Sequence, residues 1–191
     1  MIRVFWGTKF VYNLYGGVGV RIVSHLPHST YSSINTRNTS MAGLSTKPQG
    51  GKYPALSQEE EGVWKGPFVF ILGADTQFGL KDSYNGIAEH ERTWKDEIDW
   101  AKVAVKAANE MLPKPRFFVV CGDMIDAFPG TRNYDEQYRD FKTVFDELDN
   151  EIPLICVCGN HDIGNQPTVE GISKYRNSYG DDYYSFWVGG K

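Results

Sequence analysis

The first 58 residues contain no aspartate or glutamate, and no histidine follows residue 161. Long apolar runs are also missing. None approaches the roughly 20 residues that a membrane-spanning helix needs, so no stretch of this sequence reads as one. A basic stripe is absent, and the net charge is −4; both argue against nucleic acid as a partner. Cysteine is scarce, at three residues, and an odd number gives no closed disulfide framework. Cys121, Cys156 and Cys158 all fall in or beside apolar runs and read as buried thiols in a reducing compartment. Cys156 and Cys158 form a C-x-C pair on one strand face, without the two further ligands that a zinc site requires.

What is present is uneven. Residues 1–58 carry Arg3, Lys9, Arg21, Arg37, Lys47 and Lys52 and no acid, whereas the rest of the chain holds all 24 acidic residues. That shift places a boundary near residues 58–66, with 1–61 as a basic, acid-poor tail expected to be disordered and 62–191 as the folded domain. An acid-free N-terminus with Arg and Ser also has the composition of an organelle transit peptide, which leaves a mitochondrial location as an alternative to a cytoplasmic one. Met41 is a candidate alternative start. His25 and His28, in this tail, read as solvated loop residues. The hydrophobic content of 41% is enough for a folded core.

From Gly66 onward the pattern is regular. Apolar, β-favouring runs at 67–73, 116–121 and 153–158 suit central strands of a parallel sheet covered on both faces. Between them Trp94, Ile98, Ala101, Val105, Ala108 and Leu112 step by four and three, predicting a helix over 90–112 that Pro113 and Pro115 stop. A second helix starts near Asn133, which with Glu136 resembles a capping box. It presents Tyr138, Phe141, Phe145 and Leu148. A short helix carrying Ile172, Tyr175 and Tyr179 ends at Gly180. A last strand is predicted over Tyr183–Val188. The order β-α-β-α-β-α-β defines an α/β fold with mainly parallel strands.

The three central runs each end in a polar motif: Asp75-Thr76-Gln77, then Gly122-Asp123-Met124-Ile125-Asp126, then Gly159-Asn160-His161-Asp162. Groups just past the carboxyl ends of parallel strands line the crevice where such folds bind ligands. Here they are carboxylates, amides and one imidazole. Hard oxygen donors of this kind suit Mg²⁺ or Mn²⁺. Asp123, in the middle motif, is placed to bridge two cations roughly 3.5–4 Å apart, with Asp75 and Gln77 on one and Asn160 on the other. Such a pair supports in-line attack of a metal-activated hydroxide on a phosphomonoester. His161 is then available as general acid, oriented by Asp126. Asp162 reads as structural. A haloacid-dehalogenase-type phosphatase is disfavoured, because Gln77 stands where that class needs a second carboxylate.

Asp-x-(His or Gln), Gly-Asp-x-x-Asp and Gly-Asn-His-Asp, in this order after successive strands, resemble the calcineurin-like metallophosphoesterase family. The fuller stretches Phe70-Ile71-Leu72-Gly73-Ala74-Asp75, Gln77-Phe78-Gly79-Leu80 and Gly180-Asp181-Asp182-Tyr183-Tyr184 are similar to one serine/threonine protein phosphatase branch of it. The resemblance covers residues 62–191. It implies a four-layer α/β/β/α sandwich and a cytoplasmic enzyme using two divalent cations, Mn or Mg, on phosphoprotein substrates that include an Akt-type kinase. It assigns Asp75, Gln77, Asp123 and Asn160 to the metals, and His161 with Asp126 to catalysis. Gln77 departs from the histidine common in the wider family.

The family pattern continues with a lone histidine and a Gly-His-x-His motif on later strands, and this sequence has neither. Three helices and four strands make only one sheet-and-helix layer pair, which leaves the opposite sheet face open. The sequence therefore reads as the N-terminal part of the sandwich, truncated. The competing function is a non-catalytic product that acts only as a binding fragment or is degraded.

Overall fold

A computed structural model describes the backbone of residues 21–23 and residues 46–191 in full. Each of the three apolar runs forms a strand: β2 (Phe70–Ala74), β3 (Phe118–Cys121) and β4 (Leu154–Val157). They pair in parallel, with Ile71 opposite Phe118 and Phe118 opposite Leu154. A short strand β1 (Arg21–Val23) adds antiparallel to the outer edge of β2, giving the order β1-β2-β3-β4. Nothing in the sequence predicts β1. It lies in the segment assigned to the tail, and an edge strand of this length needs only free backbone groups from its neighbour.

Helices cover one face of the sheet. α3 (Lys95–Glu110) buries Ala101, Val105 and Ala108, and α4 (Tyr134–Phe145) buries Phe141, Val144 and Phe145. Phe118 of β3 meets Phe145 edge-on at 5.6 Å. Aromatic pairs of this geometry contribute about 0.5–1.5 kcal/mol beyond their area. α6 (Val169–Tyr179) adds Tyr175 and Tyr179 to the same core. Three short helices, α1 (Gln58–Glu61), α2 (Leu80–Tyr84) and α5 (Asn160–Ile163), punctuate the connections.

Two local expectations fail for identifiable reasons. Leu112 is 89% exposed, because α3 ends at Glu110 and the chain turns extended at Met111; Met111 packs on the core instead. Asn133 does not cap α4 with its side chain. Its amide donates to the carbonyl of Glu89 at 2.9 Å, so it ties a distant loop to the helix start.

The second sheet face is not open. Tyr53, Leu56, Phe117, Val119 and Ile155 form a second apolar cluster there, with Phe68, Phe70, Tyr184, Phe186 and Val188 packed against it. Two stretches supply the cover, residues 49–57 and 183–190. They are stitched together by Tyr53 N–H to Ser185 O (3.1 Å), Ser185 N–H to Gly51 O (3.0 Å) and Trp187 N–H to Leu56 O (2.9 Å). The expected strand over 183–188 is therefore an extended segment that lies on the sheet, with Tyr184, Phe186 and Val188 inward as period-2 alternation requires. An isolated parallel bridge between Lys52 and Ser185 marks its pairing with the other covering stretch.

The boundary expected at residues 61/62 also shifts. Residues 46–61 are folded, with Tyr53 and Leu56 buried and the Glu61 carboxylate fully enclosed. Arg116, leading into β3, grips Glu61 Oε2 through Nε (3.0 Å) and Nη2 (2.6 Å). A charge taken out of water needs such a partner. Apart from β1, the remainder of the expected tail lies outside the described residues, as do His25, His28 and Met41. Of the three cysteines, Cys156 is buried, Cys158 is half-buried and Cys121 is exposed. Cys121 departs from its expected burial because it ends β3 at the open end of the sheet.

Candidate metal and phosphoryl-transfer site

The loops after β2, β3 and β4 lie side by side at the carboxyl end of the sheet. Main-chain bonds extend the strand pairing beyond the strands: Asp75 N–H to Gly122 O (3.2 Å), Gln77 N–H to Asp123 O (3.0 Å) and Asp126 N–H to Phe78 O (3.1 Å). The Thr76 hydroxyl adds a bond to Met124 O at 2.8 Å. The third loop is joined to the second by side chains. Asp162 Oδ2 accepts from the N–H groups of Gly159 (2.7 Å) and Asp123 (2.8 Å), and its Oδ1 accepts from Met124 N–H (3.1 Å). Burial pushes the Asp162 carboxyl up to about 6, and these backbone donors oppose that shift. Asp162 is thus the structural residue that the sequence suggests. Gly122 and Gly159 make the approach possible: a Cβ on Gly122 would stand 3.0 Å from Gly159 Cα, and one on Gly159 would collide with Asp123.

Asp75, Gln77 and Asp123 have φ angles of 50°, 37° and 48°, and no other non-glycine residue described has a positive φ. The left-handed region costs an L-residue about 1–2 kcal/mol. Here it falls on three of the four residues that the sequence assigns to metal. Strain of this kind persists only where the surroundings over-determine it, and it concentrates at functional sites.

The structure brings some of the six candidate residues together. The Asp75 carboxyl is raised above its ordinary value, by partial loss of solvent and by the neighbouring Asp123 charge, while His161 works the other way. Asp123 Oδ1 accepts from the main-chain N–H of His161 at 2.8 Å. The His161 ring is held by the segment that carries Asp126, but not as the sequence suggests. Nδ1 sits 2.6 Å from the main-chain carbonyl of Asp126 and 3.7 Å from its carboxylate. Phe128 stacks on the imidazole at 4.5 Å, and Arg92 Nη1 lies 3.8 Å from Asp126 Oδ2.

Asn160 is less closely drawn in. It is exposed, and its amide donates to Asn165 Oδ1 at 2.8 Å. Gln77 is buried. Among the described residues no three His, Cys, Asp or Glu side chains group as a metal cage would require. The donor set nevertheless fits a hard cation. Asp75 and Asp123 repel one another across a shared site, and carboxylate and amide oxygens are the ligands that Mg²⁺ and Mn²⁺ prefer.

Sequence reasoning missed Phe128 and Arg92. Phe128 follows Asp126 by two residues and gives no local signal. Arg92 arrives from the connection between α2 and α3, a long-range contact that no motif announces.

A parallel sheet with three such loops at one end is consistent with a phosphoesterase domain, and the chain belongs to the calcineurin-like phosphoesterase family, whose sequence model matches residues 69–190. Among its relatives, the mouse (Mus musculus) protein named Serine/threonine-protein phosphatase CPPED1 is 47% identical over 146 residues, 75% of this chain and 47% of its own length. The human (Homo sapiens) protein of the same name is 48% identical over 154 residues, 78% of this chain and 48% of its own. The chain spans about half the length of the curated relatives it matches.

Proposed function

We propose that this chain carries a metal-dependent phosphoesterase centre that acts on phosphoserine and phosphothreonine in proteins. The observation that carries the reading is the left-handed backbone at Asp75, Gln77 and Asp123 on two adjoining loops. The protein-phosphatase name of the relatives supports the substrate class. Asp75, Gln77, Asp123 and Asn160 would hold divalent cations, with Mn²⁺ or Mg²⁺ the best match to their oxygens. Cations bound there supply charge stabilisation to phosphoryl oxygens and acidify a water for in-line attack.

The chain's own residues account for the proton on the leaving oxygen. The contact with the Asp126 carbonyl assigns a proton to Nδ1 of His161. In the imidazolium form Nε2 also carries one, which it can give to the departing serine or threonine oxygen. The buried Asp126 carboxylate stands 3.7 Å from Nδ1. Phe128 restricts rotation of the ring. An Akt-type kinase as substrate and a cytoplasmic location rest on the family resemblance. Among the described residues no helix is long and apolar enough to cross a membrane.

The second reading is a chain that binds metal and phosphate without turnover. It is favoured by Asn160, which is exposed and whose amide donates to Asn165 Oδ1 at 2.8 Å. Hydrolysis of an aryl phosphate with added Mn²⁺, together with metal content per chain, separates the two. The proposal expects Mn²⁺-dependent turnover that falls about 100-fold or more in Asp123→Asn. Metal binding without turnover selects the second reading. Turnover indifferent to Asp123 overturns the site.

A further inference from the structure

A cleft of about 450 Å³ opens beside His161, between the turn at Phe128 and the connection from α5 to α6. We propose that it is a specificity subsite that takes an apolar side chain of the phosphoprotein next to the phosphorylated residue, with a basic residue beyond it. The inference rests on the function proposed above and adds the flanking sequence that the site selects.

Three observations carry it. The cleft adjoins the reaction centre: Phe128 both lines it and stacks on His161, and Asn165, also in its wall, accepts from Asn160. A substrate chain rises at most about 3.6 Å per residue, so a neighbour of the phosphorylated residue must lie over this opening or turn away from it. The walls supply apolar contact through Phe128, Pro129 and Ile163. The charge at the rim is unbalanced. Lys174 is engaged by Asp135 at 2.7 Å and lies 4.6 Å over the Tyr134 ring, whereas among the described residues no cation pairs with Glu170. An unpaired carboxylate at the cleft mouth attracts lysine or arginine.

The test uses the 191-residue chain with Mg²⁺ and peptides carrying a phosphonate analogue of phosphoserine, which cannot be hydrolysed. Peptides with leucine or aspartate beside the analogue are titrated into ¹⁵N-labelled protein. The leucine peptide should bind about tenfold more tightly and shift the amides of Gly130, Gly164 and Gly171. Gln166→Trp, which fills the cleft from an exposed position, should abolish that preference while leaving aryl phosphate turnover unchanged. Glu170→Lys should remove any preference for a following arginine. Equal affinities, shifts confined elsewhere, or tight binding of the unmodified serine peptide would each overturn the subsite. Aryl phosphate turnover reports separately on the phosphoesterase reading, so loss of one does not mimic loss of the other.

Discussion

The imidazole of His161 is anchored on the main chain of Asp126, at 2.6 Å, while the carboxylate of the same residue stands 3.7 Å away. A carbonyl cannot be removed by changing the side chain. In Asp126→Asn the Nδ1–H tautomer should therefore persist, and ¹⁵N spectra of the ring at alkaline pH should match those of the wild type. What the substitution removes is the buried charge 3.7 Å from Nδ1. A switch to the Nε2–H tautomer in Asp126→Asn would show that the carboxylate, not the carbonyl, sets the ring.

Asp162 answers three backbone donors with two oxygens. An asparagine offers one acceptor and turns an NH₂ group toward the remaining N–H. Asp162→Asn should destabilise the fold by about 2–3 kcal/mol, read as a shift in the urea midpoint, and should weaken Mn²⁺ binding because the loops bearing Asp123 and Asn160 lose their tie. An unchanged midpoint would contradict this account.

Strand β4 lies at the end of the sheet, and tyrosine hydroxyls cap its carbonyls. Tyr53 donates to Leu154 O at 2.7 Å, and Tyr184 and Tyr175 both donate to Cys156 O, at 2.7 and 3.2 Å. An unprotected strand edge invites pairing with another chain. Tyr53→Phe leaves Leu154 O without that donor and should cost about 1–2 kcal/mol. Tyr184→Phe should cost less, since Tyr175 remains. The double substitution should favour self-association, measurable by sedimentation.

Burial raises the pKa of these same hydroxyls, and lifts that of Tyr134 to about 12. An unfolded tyrosine ionises near 10. Between those values the unfolded chain sheds protons that the folded chain keeps, so folding weakens as pH rises. The contribution is fully present below pH 10 and is lost as pH climbs through 12. Urea midpoints should fall between pH 10 and about 12, and the tyrosinate absorbance of these buried rings should appear only as the chain unfolds.

Much of this architecture is legible in the sequence. The three apolar runs around Ile71, Val119 and Ile155 became parallel strands, because runs buried on both faces have few other places in a fold. The motifs that end them lie where strand ends must lie. Less legible is whatever depends on distant partners. Tyr53 and Leu56 sit in a segment without periodicity, and only the sheet face beneath them explains their burial. Alternation over Tyr183–Val188 specified an extended chain with one apolar face. It did not specify whether that chain joins the sheet or lies across it. Sequence spacing placed Asp126 beside His161 and could not tell a carboxylate contact from a carbonyl one.

Asp75, Gln77 and Asp123 occupy torsions that glycine would adopt at lower cost. Selection for heat resistance alone would pull all three positions toward glycine and would erase their oxygen donors as it did so. Hardiness and chemistry thus make opposite demands on the same few peptide units.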